Sequence, residues 1–562
     1  MQDTRARDLM GRHEKLASGR ANWESLWEEC AKRYFPRGDD FRSKHAKGAT
    51  RTDFMYDSAP VSMLNRGASA TEAGLTPRNA VWFVPSSGDS QIDEIDSVKR
   101  YNEDAQGSLH REMYRPQANF ASQMFETYLS LFAFGTGCIY TEPHPMGGVV
   151  YRAPHLSQMY FAQNAYGIVD VVNREFTLTH REALQLFGDD TPDKIKEKVD
   201  GPLSKPGSEF ETARYLHCVM PREDYDETRL GPSGMPIAQF YVCMDHKCIV
   251  KEGGYHEMPY AVARYVTSPS EVYGRSPGIT HLPDVKMLNE MAKTTIEAAE
   301  LTVDPPVLLH DDSILNDFSL RAGANNYGAV DDQGRQLAVP WQSGADLGLG
   351  MEMIERVRNQ IDDGFLGAYF RVLRENPQMT ATQALLVAQT QGQLMAPVIG
   401  RLQTELLSPI IRRTAGILTR QGRMPEPPPE LIEYLQAEQA DISIEYQSPM
   451  VRLADAERGI GILRTFEGLA PLAQANPEKA QEIFAKFNFN KIAEILAEVN
   501  GMPAEAMYSD EEIEGMEEQQ QAANDAAQLL EAAPIAAQTA KTLAEAQAIG
   551  ANVPGPQPEA VI

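Results

Sequence analysis

The sequence predicts an α+β fold that is mainly helical. Segments with apolar residues at steps of three and four dominate both ends and the centre of the chain. A block of short β-rich runs, separated by proline and glycine turns, lies at 138–266. The chain has 562 residues, 42% of them hydrophobic, and is longer than one hydrophobic core usually accommodates. We therefore expect two to four structural units, one of which contains an antiparallel meander.

The region 1–275 is expected to begin with helices and to continue as a sheet-rich region. Helices are predicted at 6–34, 59–74, 95–113 and 120–133. Strands are predicted at 138–142, 149–152, 159–163, 168–179, 214–220, 237–244, 249–251 and 261–266, with short helices at 180–187 and 193–199. The turn Asn164-Ala-Tyr-Gly167 supports a hairpin between two of these strands.

The centre of the chain, Tyr273 to Ala384, contains two amphipathic helices. Apolar residues recur at helical spacing over 282–301, and Pro305-Pro306 ends this first helix. The second helix is predicted over 351–373. Each has about 20 residues and spans about 30 Å. Two such rods joined by a compact acidic segment suit a ring of subunits better than a catalytic cleft.

A longer helix is predicted after this pair. Thr380-Ala-Thr-Gln383 has the pattern of a capping box, and the helix that it opens extends to Gln421, with kinks at Pro397 and Pro409. A strand at 442–446 and helices at 454–469, 477–487 and 492–499 follow. The Ala-, Gln- and Glu-rich stretch 509–550 is expected to be disordered or marginally helical, or to bundle with copies of itself.

The net charge of −27 argues against a free-standing DNA-binding protein, which needs cations to displace counterions from phosphates. The charge is unevenly distributed. Residues 501–562 hold 11 acidic and 1 basic residue, 301–350 hold 7 Asp and 2 Arg, and 366–424 hold 7 Arg and 2 Glu. Five scattered cysteines fit a reducing cytoplasm. No apolar run is long enough to span a membrane as a helix, so no membrane partner is expected.

Catalytic and metal-binding patterns are sparse. The phosphate-binding loop of ATP-hydrolysing motors is missing, and no cofactor is predicted. Cys243, His246 and Cys248 lie close together, but strand alternation is expected to put the two cysteines on opposite faces, which disfavours a metal site. Two acidic pairs remain, either as nuclease carboxylates that bind magnesium or, as we favour, as solvated acids. They are Asp311-Asp312 and Asp331-Asp332.

Several motifs, in their order and spacing over about 6–458, resemble the head-to-tail connector, or portal, proteins of short-tailed bacteriophages. They are Trp23…Trp27…Tyr34-x-Pro36, Leu75-Thr-Pro77…Trp82-Phe83, Tyr273-Gly-Arg-Ser-Pro277, Asp284-x-Lys286, Leu288-Asn289, Pro305-Pro306, Thr380-Ala-Thr382, Arg401-Leu402, Glu405-Leu406-Leu407 with Pro409, and Ser448-Pro449 followed by an arginine.

The resemblance implies portal architecture, in which each segment has an assigned place. The implied segments are an N-terminal α+β wing at 1–275, a stem helix at 276–300, a clip at 301–349, a second stem helix at 350–373, a tunnel loop at 374–379, a long wing helix and return at 380–440, a crown at 441–508, and an acidic tail or barrel at 509–562.

The same resemblance implies a non-enzymatic function in the virion, at one vertex of the capsid, after assembly in the host cytoplasm. The expected partners are eleven further copies in a dodecamer, double-stranded DNA in the channel, the terminase large subunit, a tail adaptor, and the major capsid and scaffolding proteins. Alternatives are a tail adaptor or other ring-forming virion protein and, more distantly, a magnesium nuclease.

Two sets of residues follow as candidate sites. Just before and within the tunnel loop, Arg371 and Arg374, with Asn376 and Gln378, are expected to contact DNA, unless these arginines pair with Glu375 or with acids of a neighbouring copy. In the clip, Asp311, Asp312, Asp331 and Asp332 are expected to form a docking surface for the motor and the tail adaptor.

Overall fold

The structure is a computed structural model of the chain. It describes residues 2–309 except 39, 44, 45, 47, 200 and 202–204, some positions over 319–344, residues 346–365 and 367, 397–438, 443–446, and a few positions beyond 460. It divides into two units. The first comprises Met1–Gly88, Tyr101–Pro427 and Ile432–Asp455, and the second comprises Asp89–Arg100, Pro428–Leu431 and Ala456–Ile562.

Apart from Ser90–Asp93, Pro277–Thr280 and Pro429–Glu438, which were not predicted, the named helices lie close to the predicted positions. They are α1 (Gln2–Tyr34), α2 (Ala59–Leu75), α3 (Ser90–Asp93), α4 (Asp96–Met113), α5 (Phe120–Phe134), α6 (His180–Phe187), α7 (Asp193–Val199), α8 (Pro277–Thr280), α9 (Leu282–Val303), α10 (Leu347–Gly364), α11 (Ser408–Arg420) and α12 (Pro429–Glu438). In the described part of the chain, no helix is long and apolar enough to cross a membrane.

The strands confirm the predicted meander and add elements that the sequence pattern did not show. They are β1 (Phe83–Ser86), β2 (Thr136–Pro143), β3 (Val149–Arg152), β4 (Met159–Gln163), β5 (Val169–Thr179), β6 (Thr212–Pro221), β7 (Ile237–Cys243), β8 (Cys248–Tyr255), β9 (Tyr260–Arg264), β10 (Val307–Leu309), β11 (Ala338–Pro340) and β12 (Ser443–Tyr446). The unpredicted strands, β1, β10 and β11, are too short to show a period.

Two sheets form the centre of the first unit. The larger has the antiparallel order β4-β5-β6-β7-β8, and the smaller has the order β3-β2-β9. Strand β1 pairs with β12, which is distant in sequence, and Phe83 lies opposite Tyr446. The main hydrophobic core joins α1, α2, α5, the small sheet and α11. Trp82, inside this core, stacks on Phe120 and Tyr446 and donates its indole N–H to the Tyr114 hydroxyl (3.2 Å).

The predicted kink near Pro409 takes the form of a π-helical turn. Residues 397–402 are helical, Gln403–Leu407 form the π turn, and α11 continues from Ser408. Proline removes a backbone donor, and an inserted residue is a common accommodation of such a break. The capping box at 380–383, the helices at 454–499 and the stretch 509–550 lie outside the described residues, apart from a few single positions.

The second unit is small in its described part. Asp89 caps α3, since its Oδ1 accepts a hydrogen bond from the Gln91 amide (2.9 Å). The Ser97 hydroxyl donates to Glu430 (3.4 Å). The side chains of Val98 and Leu431 are buried.

Candidate functional site: a two-helix arm

Helices α9 and α10, with the β10–β11 pair between them, form a feature that we call the arm. The helices pack against each other, with His281 beside Gly364 at one end and Thr295 beside Gly350 further along, so they run antiparallel. Helix α10 begins at a capped turn in which Asp346 accepts hydrogen bonds from two backbone amides. It starts at Leu347, slightly before the predicted position 351, and this helix ends at Gly364, whereas the prediction extends to 373. Residues 366 and 368–373 lie outside the described part.

Burial along the arm is confined to one end, which we call its base. In α9 the buried residues are Leu282, Val285, Leu288 and Ala292, and none follows over 293–303. In α10 the buried apolar residues begin only at Ile354. The far half of the helix pair therefore has no core of its own. Two helices alone cannot cover each other's apolar surface, because each presents a broad apolar stripe.

Two rows of residues with a spacing of seven lie along α9. One row is exposed throughout and contains Met287, Thr294 and Leu301, and the other passes from the half-buried Asn289 to the exposed Ile296 and Val303. At 3.6 residues per turn, the two rows are about 200° apart, so they lie on opposite flanks of the helix. Val303 is 86% exposed. A seven-residue apolar spacing is typical of helices that pack against other helices.

The far end of the arm carries further exposed apolar side chains. Strands β10 and β11 pair antiparallel, and the Trp341 amide extends the ladder by donating to the Pro306 carbonyl (2.8 Å). A two-stranded ladder of this length is marginal by itself. The exposed apolar residues here and on the adjoining part of α10 are Leu308, Val339, Trp341, Leu349, Met351 and Met353.

The base of the arm is fastened to the N-terminal region by polar contacts. The Asn289 amide donates to the Phe54 carbonyl (3.0 Å) and accepts from the Tyr56 amide (2.9 Å). Asp57, whose carboxylate is buried, binds Arg358 of α10 (2.9 Å). Burial by itself lowers the pKa of Arg358, but the ion pair with Asp57 outweighs it and raises that pKa. Asn289 holds the loop by backbone contacts, so its role has no signal in a single sequence beyond the Leu288-Asn289 motif.

A cavity of about 410 Å³ lies where the end of α1 and this loop meet α9. Its lining combines apolar side chains with three cationic and three anionic ones: Glu29, Lys32, Arg33, Phe54, Met55, Tyr56, Asp57, Val285, Asn289, Glu290 and Lys293. Glu29 binds Lys286 on its margin (2.9 Å). Burial alone raises the pKa of Glu29, but hydrogen bonding and charge from Lys286 and its neighbours lower it overall. Because the lining has equal numbers of cationic and anionic side chains, its charge does not favour one class of ligand.

The motif Tyr273-Gly-Arg-Ser-Pro277 joins the arm to the core. Tyr273 packs edge-on against Trp27 and close to Phe161. A Cβ atom at Gly274 would lie 2.2 Å from the Gly135 carbonyl oxygen, so only glycine fits where these two backbone segments pass each other. The motif is thus explained by packing.

Residues 274–278 also have the Gly-x-Ser-x-Gly spacing of a hydrolase nucleophile elbow. The Ser276 hydroxyl is not available as a nucleophile. It donates to the Ala133 carbonyl (3.0 Å), accepts from the Ile279 amide (2.9 Å) as the cap of α8, and is buried. Its function here is to start the helix that precedes the arm.

The predicted tunnel-loop residues Arg371, Arg374, Asn376 and Gln378 lie outside the described residues, as do the predicted clip acids Asp311, Asp312, Asp331 and Asp332. Within the positively charged segment 366–424, the structure describes residues 367 and 397–424. Four of its arginines form ion pairs within the chain: Arg401 with Glu405, Arg413 and Arg420 with Glu257, and Arg423 with Glu112. Much of the local excess of arginine is therefore neutralised by acids within the same chain.

The expectation that Cys243 and Cys248 lie on opposite faces is wrong. It applied strand alternation across 243–248, whereas β7 ends at Cys243, a turn follows, and β8 begins at Cys248, so the two are direct cross-strand partners. Among the described residues, no three His, Cys, Asp or Glu side chains come together as metal ligands.

Comparison with known proteins adds the decisive observation. The model of the family "Bacteriophage head to tail connecting protein" matches residues 6–508. The chain belongs to this family. The match extends past about 458, the end of the stretch that showed the resemblance, and it stops where the acidic tail was expected to begin. Membership of this connector family makes the chain a structural component of the phage particle, at the connection between head and tail.

Named relatives agree with this connector assignment. The probable portal protein of Bordetella phage BPP-1 is 25% identical over 520 residues, covering 91% of this chain and 90% of that protein. The portal protein of Salmonella phage epsilon15 is 26% identical over 537 residues, covering 92% and 91%. A solved structure described as the neck of an empty GTA particle has a TM-score of 0.32 and 11% identity, covering 77% of this chain and 94% of that chain.

Proposed function

We propose that this connector is the portal subunit, which forms a dodecameric ring at one capsid vertex and conducts double-stranded DNA during packaging and ejection. In this proposal α9 and α10 are the stem, the segment around β10 and β11 is the clip, and the region before α8 is the wing. Residues 374–379 form the tunnel loop, 380–440 the long wing helix and return, 441–508 the crown, and 509–562 an inward barrel or a loose tail.

The observation that carries the proposal is the arm, which has exposed apolar side chains on both flanks. A closed ring needs a heterologous interface, in which one surface of each subunit contacts a different surface of the next. Exposed Leu301 on one flank and exposed Ile296 and Val303 on the other supply two such surfaces on one helix. A twofold dimer would need only one surface. Each arm is therefore suited to pack between two others.

The acidic composition suits a conduit for DNA. Strong neutralisation of phosphates would hold DNA in place, whereas a wall that is mostly acidic repels it and allows sliding. In this proposal Arg371, just before the tunnel loop, and Arg374, at its start, add a limited ring of positive charge. The acids of the clip, Asp311, Asp312, Asp331 and Asp332, dock the terminase large subunit during filling and the tail adaptor afterwards.

Electron microscopy of the purified full-length protein tests the proposal. We expect rings with a central channel and twelvefold symmetry in class averages. Val303→Asp puts a charge into one flank and should reduce ring formation at least tenfold, while Leu230→Asp, at a fully exposed position of the wing region, should leave rings intact. Circular dichroism checks that both variants fold. Wild-type protein that remains monomeric, or a Val303→Asp variant that assembles normally, contradicts the proposal.

A further inference from the structure

Cys243 and Cys248 face each other across the β7–β8 hairpin, in the proposed wing, and the proposed function gives neither cysteine a role. They are direct register partners, and the side chains of both pack against one small hydrophobic cluster. Both carry the reduced thiol in the structure. The cluster consists of Ala183, Phe187, Ile195, Ala213, Tyr215, Cys243 and Val250, and it joins α6 and α7 to the outer part of the five-stranded sheet.

The pairing geometry suits a covalent link. Residues directly opposite in an antiparallel ladder have Cα atoms about 4.5–5.5 Å apart, depending on whether the pair is hydrogen-bonded. Disulfides span Cα separations of about 4.4–6.8 Å. The strands therefore need not shift register or separate for the two sulfur atoms to bond. The other cysteines, Cys30, Cys138 and Cys218, are buried at separate places in the chain.

We propose that Cys243 and Cys248 form an intrachain disulfide when the protein meets an oxidising low-molecular-weight disulfide. Cys248 is only partly buried, so its thiolate attacks one sulfur of the reagent and releases one thiolate. Cys243 then attacks the Cys248 sulfur of this mixed disulfide and releases the second thiolate. The released thiolates take up the two protons lost by the cysteines. One reagent disulfide is reduced to two thiols, and one protein disulfide is formed.

The difference in exposure sets the order of the two steps. Burial raises the pKa of Cys243 to about 11, so its thiol is protonated at neutral pH and does not start the reaction. Once Cys248 carries the leaving group, Cys243 is held beside it by the hairpin, and the second step is intramolecular. A connector that is assembled in reducing cytoplasm and then released from the cell passes from reducing to oxidising conditions. The two cysteines would be thiols in the first and a disulfide in the second.

The test uses the full-length protein, oxidised glutathione and mass spectrometry. Folded protein is incubated with the reagent, its remaining thiols are alkylated under denaturing conditions, and it is digested with trypsin, which cleaves after Lys247. We expect peptides 230–247 and 248–251 to be joined by a disulfide and to separate on reduction, with three of the five cysteines alkylated. Cys248→Ser should abolish the linked peptide, whereas the matched variant Cys218→Ser, which removes a buried cysteine of β6, should retain it.

Three results overturn the proposal. In the first, all five cysteines are alkylated. In the second, glutathione remains attached to Cys248 without the intrachain link. In the third, Cys243 or Cys248 pairs with another cysteine. The wild-type result decides between these outcomes without depending on the folding of any variant.

Discussion

Arg264, at the end of β9, and Glu405, in the π-helical turn before α11, form a bidentate ion pair in which the arginine is buried and the glutamate is partly buried. The Nη2–Oε1 and Nε–Oε2 distances are 2.6 and 3.0 Å. Arg264 is 5% exposed, and its remaining donors bind Gln163 and the Gly167 carbonyl of the β4–β5 turn. The pair thus joins both sheets to the helix that follows the predicted tunnel loop.

We expect Glu405→Gln to destabilise the protein by about 3 kcal/mol, because it leaves a buried guanidinium without its counter-charge. The measurement is the shift of the urea unfolding midpoint. The matched control is Glu271→Gln, which removes the partner of the more exposed Arg275 and should cost less than about 1 kcal/mol. Equal losses for the two variants would show that burial does not strengthen the Arg264 pair.

Gly274→Ala should destabilise the protein by several kcal/mol, since its Cβ would overlap the Gly135 carbonyl oxygen and neither backbone can retreat from the core. Gly107→Ala is the opposite control. It lies within α4 with open space around it, so better helix propensity should stabilise the protein by about 0.5–1 kcal/mol. Thermal unfolding measures both. A neutral Gly274→Ala variant would refute the packing account of the motif.

His217 should make the fold sensitive to acid. Burial lowers the pKa of His217 to about 3, and it is held between the Tyr260 hydroxyl (2.7 Å) and the ring of Tyr241. Between this pKa and about 6.5, the unfolded state binds a proton that the folded state does not. Stability should therefore fall as the pH drops below about 6.5, by up to about 1.4 kcal/mol per pH unit from this residue.

Urea unfolding between pH 7 and pH 4 tests this pH dependence. His217→Gln removes the titrating group and should give a shallower loss than the wild type, although its stability at pH 7 should be lower. His256→Gln, which changes an exposed histidine, should leave the wild-type slope unchanged. The same slope in all three proteins would exclude His217 as the source.

Arg371→Ala combined with Arg374→Ala should impair DNA packaging or genome retention while rings still assemble, because the change removes only the limited positive ring of the tunnel. The readouts are packaged DNA length and ring formation. Arg78→Ala combined with Arg229→Ala removes two exposed arginines that pair with nearby acids elsewhere and is the charge-matched control. Normal packaging and retention in the first variant would remove the tunnel hypothesis.

Reversing Asp311 and Asp312 to lysine should weaken binding of the terminase large subunit and the tail adaptor at least tenfold, if these acids form the docking surface. Binding of the purified partners to assembled rings measures the effect. Reversal of Asp189 and Asp190, two exposed acids beside α6, is the control. Unchanged affinity for both partners would show that the docking surface lies elsewhere.

The spacing of residues within short segments of the sequence determined which segments of this protein form helices and strands. The periodicity of apolar residues placed α1, α9 and most of the meander within a few residues of their positions, because helices and strands each impose a fixed spacing on residues that share a face. Proline placed the break before α11 for an equally local reason.

Tertiary structure alone decided which distant residues meet. Three contacts join segments that are far apart in sequence. Strand β1 pairs with β12, Asn289 hydrogen-bonds to the backbone of Phe54 and Tyr56, and Arg413 forms an ion pair with Glu257. The free energy of these contacts depends on tertiary packing, which the spacing of residues within one segment does not encode. Cys243 and Cys248, which are close in sequence, show the same difference between what the sequence predicts and what the tertiary structure decides. The sequence predicted strands at 237–244 and 249–251, but whether the two cysteines share a face depended on where the chain turned back.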